Sequence, residues 1–169
     1  MIAQRESRSK WILYALATLL CIILQQQVLD HIRIWGALPF LLPLLCSTLA
    51  VYEGWMRGGI YGLTLGVLTD LLLSSGPTAW FYTVAFTLIA LTAAAVSKYI
   101  MSPGFLCSLL SGGVGYLLLQ LLRLTLYLLL GSAQPVMLLI ALKELFLSLP
   151  FVLPAHWLLV RIWRYYYHD

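Results

Sequence analysis

The stretch YGLTLGVLTDLLLSSGPTAWF, Tyr61 to Phe81, decides how this chain folds. It is apolar enough to enter a membrane, yet it carries Asp70, preceded at four-residue steps by Gly58, Gly62 and Gly66. Residues four apart lie on one face of an α-helix. Glycine weakens a water-facing helix, and aspartate is costly on a lipid-facing one. Both fit a helix that packs closely on protein inside a bilayer, where small residues let backbones approach. That face would carry Asp70 into protein instead of lipid.

Composition agrees. Of 169 residues, 62% are hydrophobic and only 9% are charged, and the mean hydropathy is +0.94. A soluble domain carries about 25% charged residues, so these charges could not cover a water-exposed surface. The formal net charge is +4, but the basic residues sit at the ends and in loops. That distribution fits the positive-inside rule, not a phosphate-binding face, so no nucleic-acid partner is expected. Cys21, Cys46 and Cys107 lie in apolar runs without CxxC or Cys/His spacing, which reads as buried thiols. No metal or cofactor is expected.

A span needs about 20 apolar residues. On that ruler the chain reads as one all-α integral membrane domain over 1–169, a bundle of six transmembrane helices. The spans run over 11–29, 34–52, 59–73, 78–96, 105–130 and 136–160. The N-terminal basic stretch and apolar run could mimic a signal peptide, with Ala15 and Ala17 as a weak cleavage pair. The run continues to Leu24, however, which favours an uncleaved first span. A lipoprotein reading at Cys21 fails because Leu19 and Leu20 stand where small residues are wanted.

With the N-terminus inside, Arg5, Arg8, Lys10, Arg57, Lys98, Arg161 and Arg164 are cytoplasmic and only Arg33 is outside. The expected topology is N-in, C-in. The tail 161–169, with Trp163, Tyr165, Tyr166 and Tyr167 beside Arg161 and Arg164, reads as an interfacial anchor. The third span is weak alone. Its eight Ile, Leu and Val residues contribute about −4 kcal/mol, against about +3 for a central Asp. Pro150 and Pro154 should kink the last span.

Four ionisable residues fall within spans: Asp70, Arg123, Lys143 and Glu144. Under the assigned topology all lie in the outer half of the bilayer, so they are read as one polar cluster in which Asp70 pairs with Arg123 or Lys143. Span five has its own small residues, Ser108, Ser111, Gly112 and Gly115, continued by Gln120 and Arg123. Packing of the Gly58–Gly62–Gly66 face on that face would bring Asp70 towards Arg123. A Ser111–His156 protease reading is weak: His156 lies near the cytoplasmic end and Leu109 stands where glycine is wanted. His31 and His168 read as loop and tail residues.

The ordered set Pro39 in an apolar run, GxxxGxxxD at Gly62, Gly66 and Asp70, and a Gly76 turn resembles the bacterial rod shape-determining protein MreD family. Gln25 to Gln27 near the end of span one, Pro150 in the last span and the basic tail add to the likeness. The adjacent pair Lys143–Glu144 departs from the pattern. The resemblance implies a non-enzymatic component of the cell-elongation machinery in the bacterial cytoplasmic membrane. It implies a partner of the bitopic MreC type and links to RodA, penicillin-binding protein 2 and MreB. A rival resemblance is to the substrate-binding S subunit of energy-coupling-factor vitamin transporters, also six-span proteins with a GxxxGxxxD-like centre. The first span lacks the AxxxA surface expected of those subunits.

Overall fold

The structure is a computed structural model that describes residues 2–27, 29, 39–73, 76–131 and 136–167. Side chains are described for 9–27, 29, 39–72, 76–131 and 139–164. Residues 30–38, with His31, Arg33 and the expected start of span two, lie outside this set, as does His168. All regular structure among the described residues is helical. In order the helices are α1 (Ile2–Gln27), α2 (Leu42–Leu73), α3 (Phe81–Tyr99) and α4 (Phe105–Leu129). There follow α5 (Val136–Ser148), a 3₁₀ turn (Leu149–Phe151) and α6 (Val152–Tyr167). Among the described residues four helical stretches are long and apolar enough to cross a membrane: Ser9–Gln27, Phe81–Tyr99, Phe105–Leu129 and Leu139–Arg164.

The expected second and third spans are the two arms of α2. Gly54 breaks the helix at φ 78°, ψ −171°, a conformation suited to glycine. A Cβ added at Gly58 would lie 2.8 Å from the Ala50 Cα, whereas eight residues along a straight helix separate by about 12 Å. The arms therefore fold back on each other at Gly54. Neither arm is among the four stretches above, so the six-span count goes beyond what length and composition alone establish.

The first arm, 42–53, is the centre of the bundle. Every residue from 41 to 51 is buried, so this arm is apolar all round because protein surrounds it. Gly112 of α4 and Phe86 of α3 face it, through Leu44 and Cys46. The arm starts at Leu42 and not at 34, because Pro39 to Leu41 is not helical. Proline supplies no backbone N–H and biases the residue before it away from helix. Pro43 sits in the first turn, where its missing N–H costs nothing.

Non-helical backbone within an apolar bundle needs side-chain partners. The Gln25 amide donates to the Pro39 carbonyl (2.9 Å) and accepts from the Leu41 N–H (3.0 Å). The Ser148 hydroxyl accepts from the Phe40 N–H (3.0 Å). Gln25 and Ser148 are each 1% exposed. The expected kink of the last span is present as the 3₁₀ turn at Pro150, while Pro154 falls in the first turn of α6.

Contacts fix which helix ends lie together. Lys10 of α1 meets Glu53 beside the Gly54 turn, Ser97 near the end of α3 donates to the Val51 carbonyl, and Trp163 of α6 stacks near Tyr52. Lys10, Arg57, Lys98, Arg161 and Arg164 thus gather at one end of the bundle. Asp70, Tyr82 and Arg123 lie towards the other.

Candidate functional site

The motif of the opening stretch forms the joint between the second arm of α2 and the start of α3. A Cβ at Gly62 would lie 2.6 Å from the Phe86 carbonyl oxygen, and one at Gly66 would lie 2.4 Å from the Thr83 Cα. The obstacles are backbone atoms, so rotamer changes cannot relieve them. The expectation that this face packs on span five is corrected: α3 occupies it. Gly58 faces the other arm of its own helix, as described above.

A Cβ added at Gly115 would lie 2.8 Å from Ile89 Cγ2 of α3, and one at Gly112 would lie 3.1 Å from Leu44 Cδ2 and 3.5 Å from Val152 Cγ2 of α6. The two small-residue faces thus do not meet each other: Gly62, Gly66 and Gly115 pack on α3, and Gly112 packs on the buried first arm and α6. Gly76 lies in the turn before α3, 3.2 Å from the Phe81 Cβ by the same measure.

The pairing expected for Asp70 is also corrected. Its Oδ1 accepts from the Tyr82 N–H (3.0 Å), and its Oδ2 accepts from the Thr83 N–H (2.8 Å) and hydroxyl (2.7 Å). Neither Arg123 nor Lys143 forms an ion pair with it among the described residues. The first N–H groups of any helix lack internal partners. In α3 the N-cap position holds Trp80, at φ 67° and without a side-chain cap. Asp70 caps α3 from the neighbouring helix instead, with its charge at the positive end of the helix dipole.

Arg123 pairs with Glu144 across α4 and α5 (Nη1 to Oε2, 3.6 Å) and donates to the Tyr82 hydroxyl at 3.4 Å. Glu144 Oε2 also accepts from Gln120 (2.8 Å) and Tyr116 (3.4 Å). The four polar residues expected as one cluster therefore divide. Arg123 and Glu144 come together, Asp70 serves α3, and Lys143 is exposed on another face of α5. A cleft of about 460 Å³ opens between α4 and α5, with Gln120, Arg123, Tyr127 and Glu144 as its polar side chains and leucine, isoleucine and alanine as the rest of its walls. A smaller cavity of about 360 Å³ lies at Asp70, Gly76, Thr78 and Trp80.

Two polar features were not anticipated. Glu53, 1% exposed at its side chain, pairs with Lys10 and Arg57 and accepts from the Tyr14 hydroxyl at 2.9 Å. The Thr18 hydroxyl, one turn further along α1, meets that of Tyr61. With Gln25 these residues form a polar stripe down α1. The spacing Lys10, Tyr14, Thr18, then Gln25, was a legible one-face signal.

His156 Nδ1 lies 3.0 Å from Ser108 Oγ. The Ser108 hydroxyl donates to the Gly104 carbonyl (3.0 Å), so its proton is already engaged. His156 packs between the Tyr52 and Phe105 rings. This pair ties α4 to α6 and is not arranged to activate a nucleophile. Among the described residues no three His, Cys, Asp or Glu side chains converge as metal ligands. No protein-family model, curated protein or solved structure matches the chain.

Proposed function

We propose that this chain is a non-enzymatic scaffold of the MreD type in a bacterial cytoplasmic membrane. In this reading it crosses the bilayer six times with both termini inside. It binds a bitopic MreC-type partner and helps couple MreB filaments, through RodA and penicillin-binding protein 2, to wall synthesis outside.

One observation carries the reading. The residues behind the resemblance, Gly62, Gly66 and Asp70, build one structural device, the joint between α2 and α3. Pro39 marks the unwound entry to the buried arm, held by Gln25 and Ser148. Such positions shape a rigid bundle, which suits an interaction protein. The basic residues gathered at one end support the cytoplasmic assignment of both termini.

The cleft between α4 and α5 favours a second reading, the vitamin-transporter S subunit, because its volume falls in the usual range for small-molecule sites. Depleting the chain from its bacterium separates the two. Rods that become round support the scaffold. Rods that keep their shape but require an added vitamin overturn it.

A further inference from the structure

Among the described residues three have a left-handed backbone: Gly54, Gly131 and Trp80, the last at φ 67° and ψ 13°. Glycine is at ease there, but a bulky residue is strained, because its Cβ crowds the backbone carbonyl. Strain of this kind points to a function when the side chain has no role in the interior. Trp80 has none. Its side chain is turned outwards, with the residue 62% exposed, whereas Phe81, the next residue, is 4% exposed and belongs to the core. The turn before α3 would therefore be better served by glycine, and what favours an indole at this position lies outside the chain.

Position identifies the contact. Trp80 opens α3, its carbonyl accepting from the Val84 N–H (3.2 Å). The helix then runs for 19 residues, about 28 Å, which matches a hydrocarbon core of about 30 Å. At its far end, among the basic residues, lie exposed Tyr99 and Lys98, whose Nζ stands 5.3 Å from the centre of the Tyr99 ring. Trp80 thus stands at the opposite edge of the apolar layer. Val84 and Leu88, further along α3, are exposed and apolar, while Asp70 and Thr78 line the small cavity beside Trp80. We infer that the Trp80 indole inserts into the headgroup layer of the bilayer, at the end of the bundle remote from the basic residues, and anchors the start of α3 there. The ring lies against the acyl chains, continuous with the surface of Val84 and Leu88, and its N–H donates to lipid ester or phosphate oxygens. Interfacial anchors help to set the tilt of a spanning helix, so this one holds the Asp70–α3 joint at the membrane surface. The inference rests on the chain being membrane-embedded and is independent of any protein partner.

The test reads Trp80 emission as the difference between the unaltered full chain and Trp80→Phe, both reconstituted in phosphatidylcholine vesicles. The expected Trp80 component is blue-shifted from free tryptophan. It should be strongly quenched by phosphatidylcholine brominated near the headgroup end of its acyl chains and little affected by aqueous iodide. A second measurement does not depend on fluorescence. The three native cysteines are buried, so a nitroxide on Trp80→Cys reports depth selectively, with one on Leu88→Cys as reference. The label at 80 should lie at the headgroup boundary, about 12 Å shallower than the label at 88. A Trp80 component quenched by iodide and not by brominated lipid overturns the proposal. So does one shielded from both, which would place the ring against protein, and so do labels of equal depth at 80 and 88. None of these failures bears on the scaffold reading, since no partner is present in the assay.

Discussion

Replacing Asp70 by alanine would remove the acceptor of three hydrogen bonds at once: two from the Tyr82 and Thr83 N–H groups and one from the Thr83 hydroxyl. Hydrogen bonds to a charged group contribute about 1.5–3 kcal/mol each. Part of the loss is returned because the partly buried carboxylate no longer has to be desolvated. A net destabilisation of about 3–5 kcal/mol follows. Asp70→Asn keeps one carbonyl oxygen but turns an NH₂ towards a second donor, so about 2 kcal/mol is expected.

Reversible unfolding in mixed micelles measures these values, and amide hydrogen exchange reads the cap directly. Exchange at Tyr82 and Thr83 should accelerate in Asp70→Ala and stay slow in Arg123→Ala. A double-mutant cycle between Asp70 and Arg123 should show a coupling well below that of a direct ion pair, because no hydrogen bond or ion pair joins the two side chains and each reaches Tyr82 through a different group. A coupling above about 1.5 kcal/mol, or rescue of Asp70→Arg by Arg123→Asp, would refute the capping role and restore the direct pair.

Other perturbations separate the packing claims. Gly66→Ala places a methyl against the Thr83 backbone at 2.4 Å and should cost about 3 kcal/mol or more in unfolding. Gly113→Ala, with nothing within 4 Å of the new Cβ, should be neutral or stabilising by up to about 1 kcal/mol in the same assay. Glu53→Gln breaks the buried pair with Lys10 and should destabilise by about 3–5 kcal/mol; Lys10→Met combined with Glu53→Gln should recover part of that, as read by unfolding. Gln25→Leu strands the Pro39 carbonyl and the Leu41 N–H, so about 2–4 kcal/mol should be lost and exchange at Leu41 should quicken.

Much of the helical architecture was legible from hydropathy and from glycine spacing. The Gly58–Gly62–Gly66 face does mark close packing, and Pro150 does break the last helix. The neighbour across that face was not legible, because spacing identifies a face without identifying what it meets. Asp70 was misassigned for a related reason. Opposite charges suggested a cation, while the actual partners are backbone N–H groups of α3, which every sequence contains and none displays.

The buried first arm was also hidden. An apolar stretch that faces lipid and one that faces protein on all sides have the same hydropathy, so 42–53 looked like an ordinary span. Glu53 falls in the connection between the expected spans 34–52 and 59–73, beside the turn residue Gly54, so its sequence position does not mark it as buried. The fold places it inside, against a lysine 43 positions earlier in the chain.

The scaffold account is tested most directly by isolating the tagged chain from its own membranes in mild detergent and identifying what accompanies it. The account predicts a single-span partner of the MreC type in near-equal amount, and loss of that partner in a folded variant that disrupts its interface. Recovery of an ATPase module together with a bound vitamin, and no bitopic partner, would contradict it.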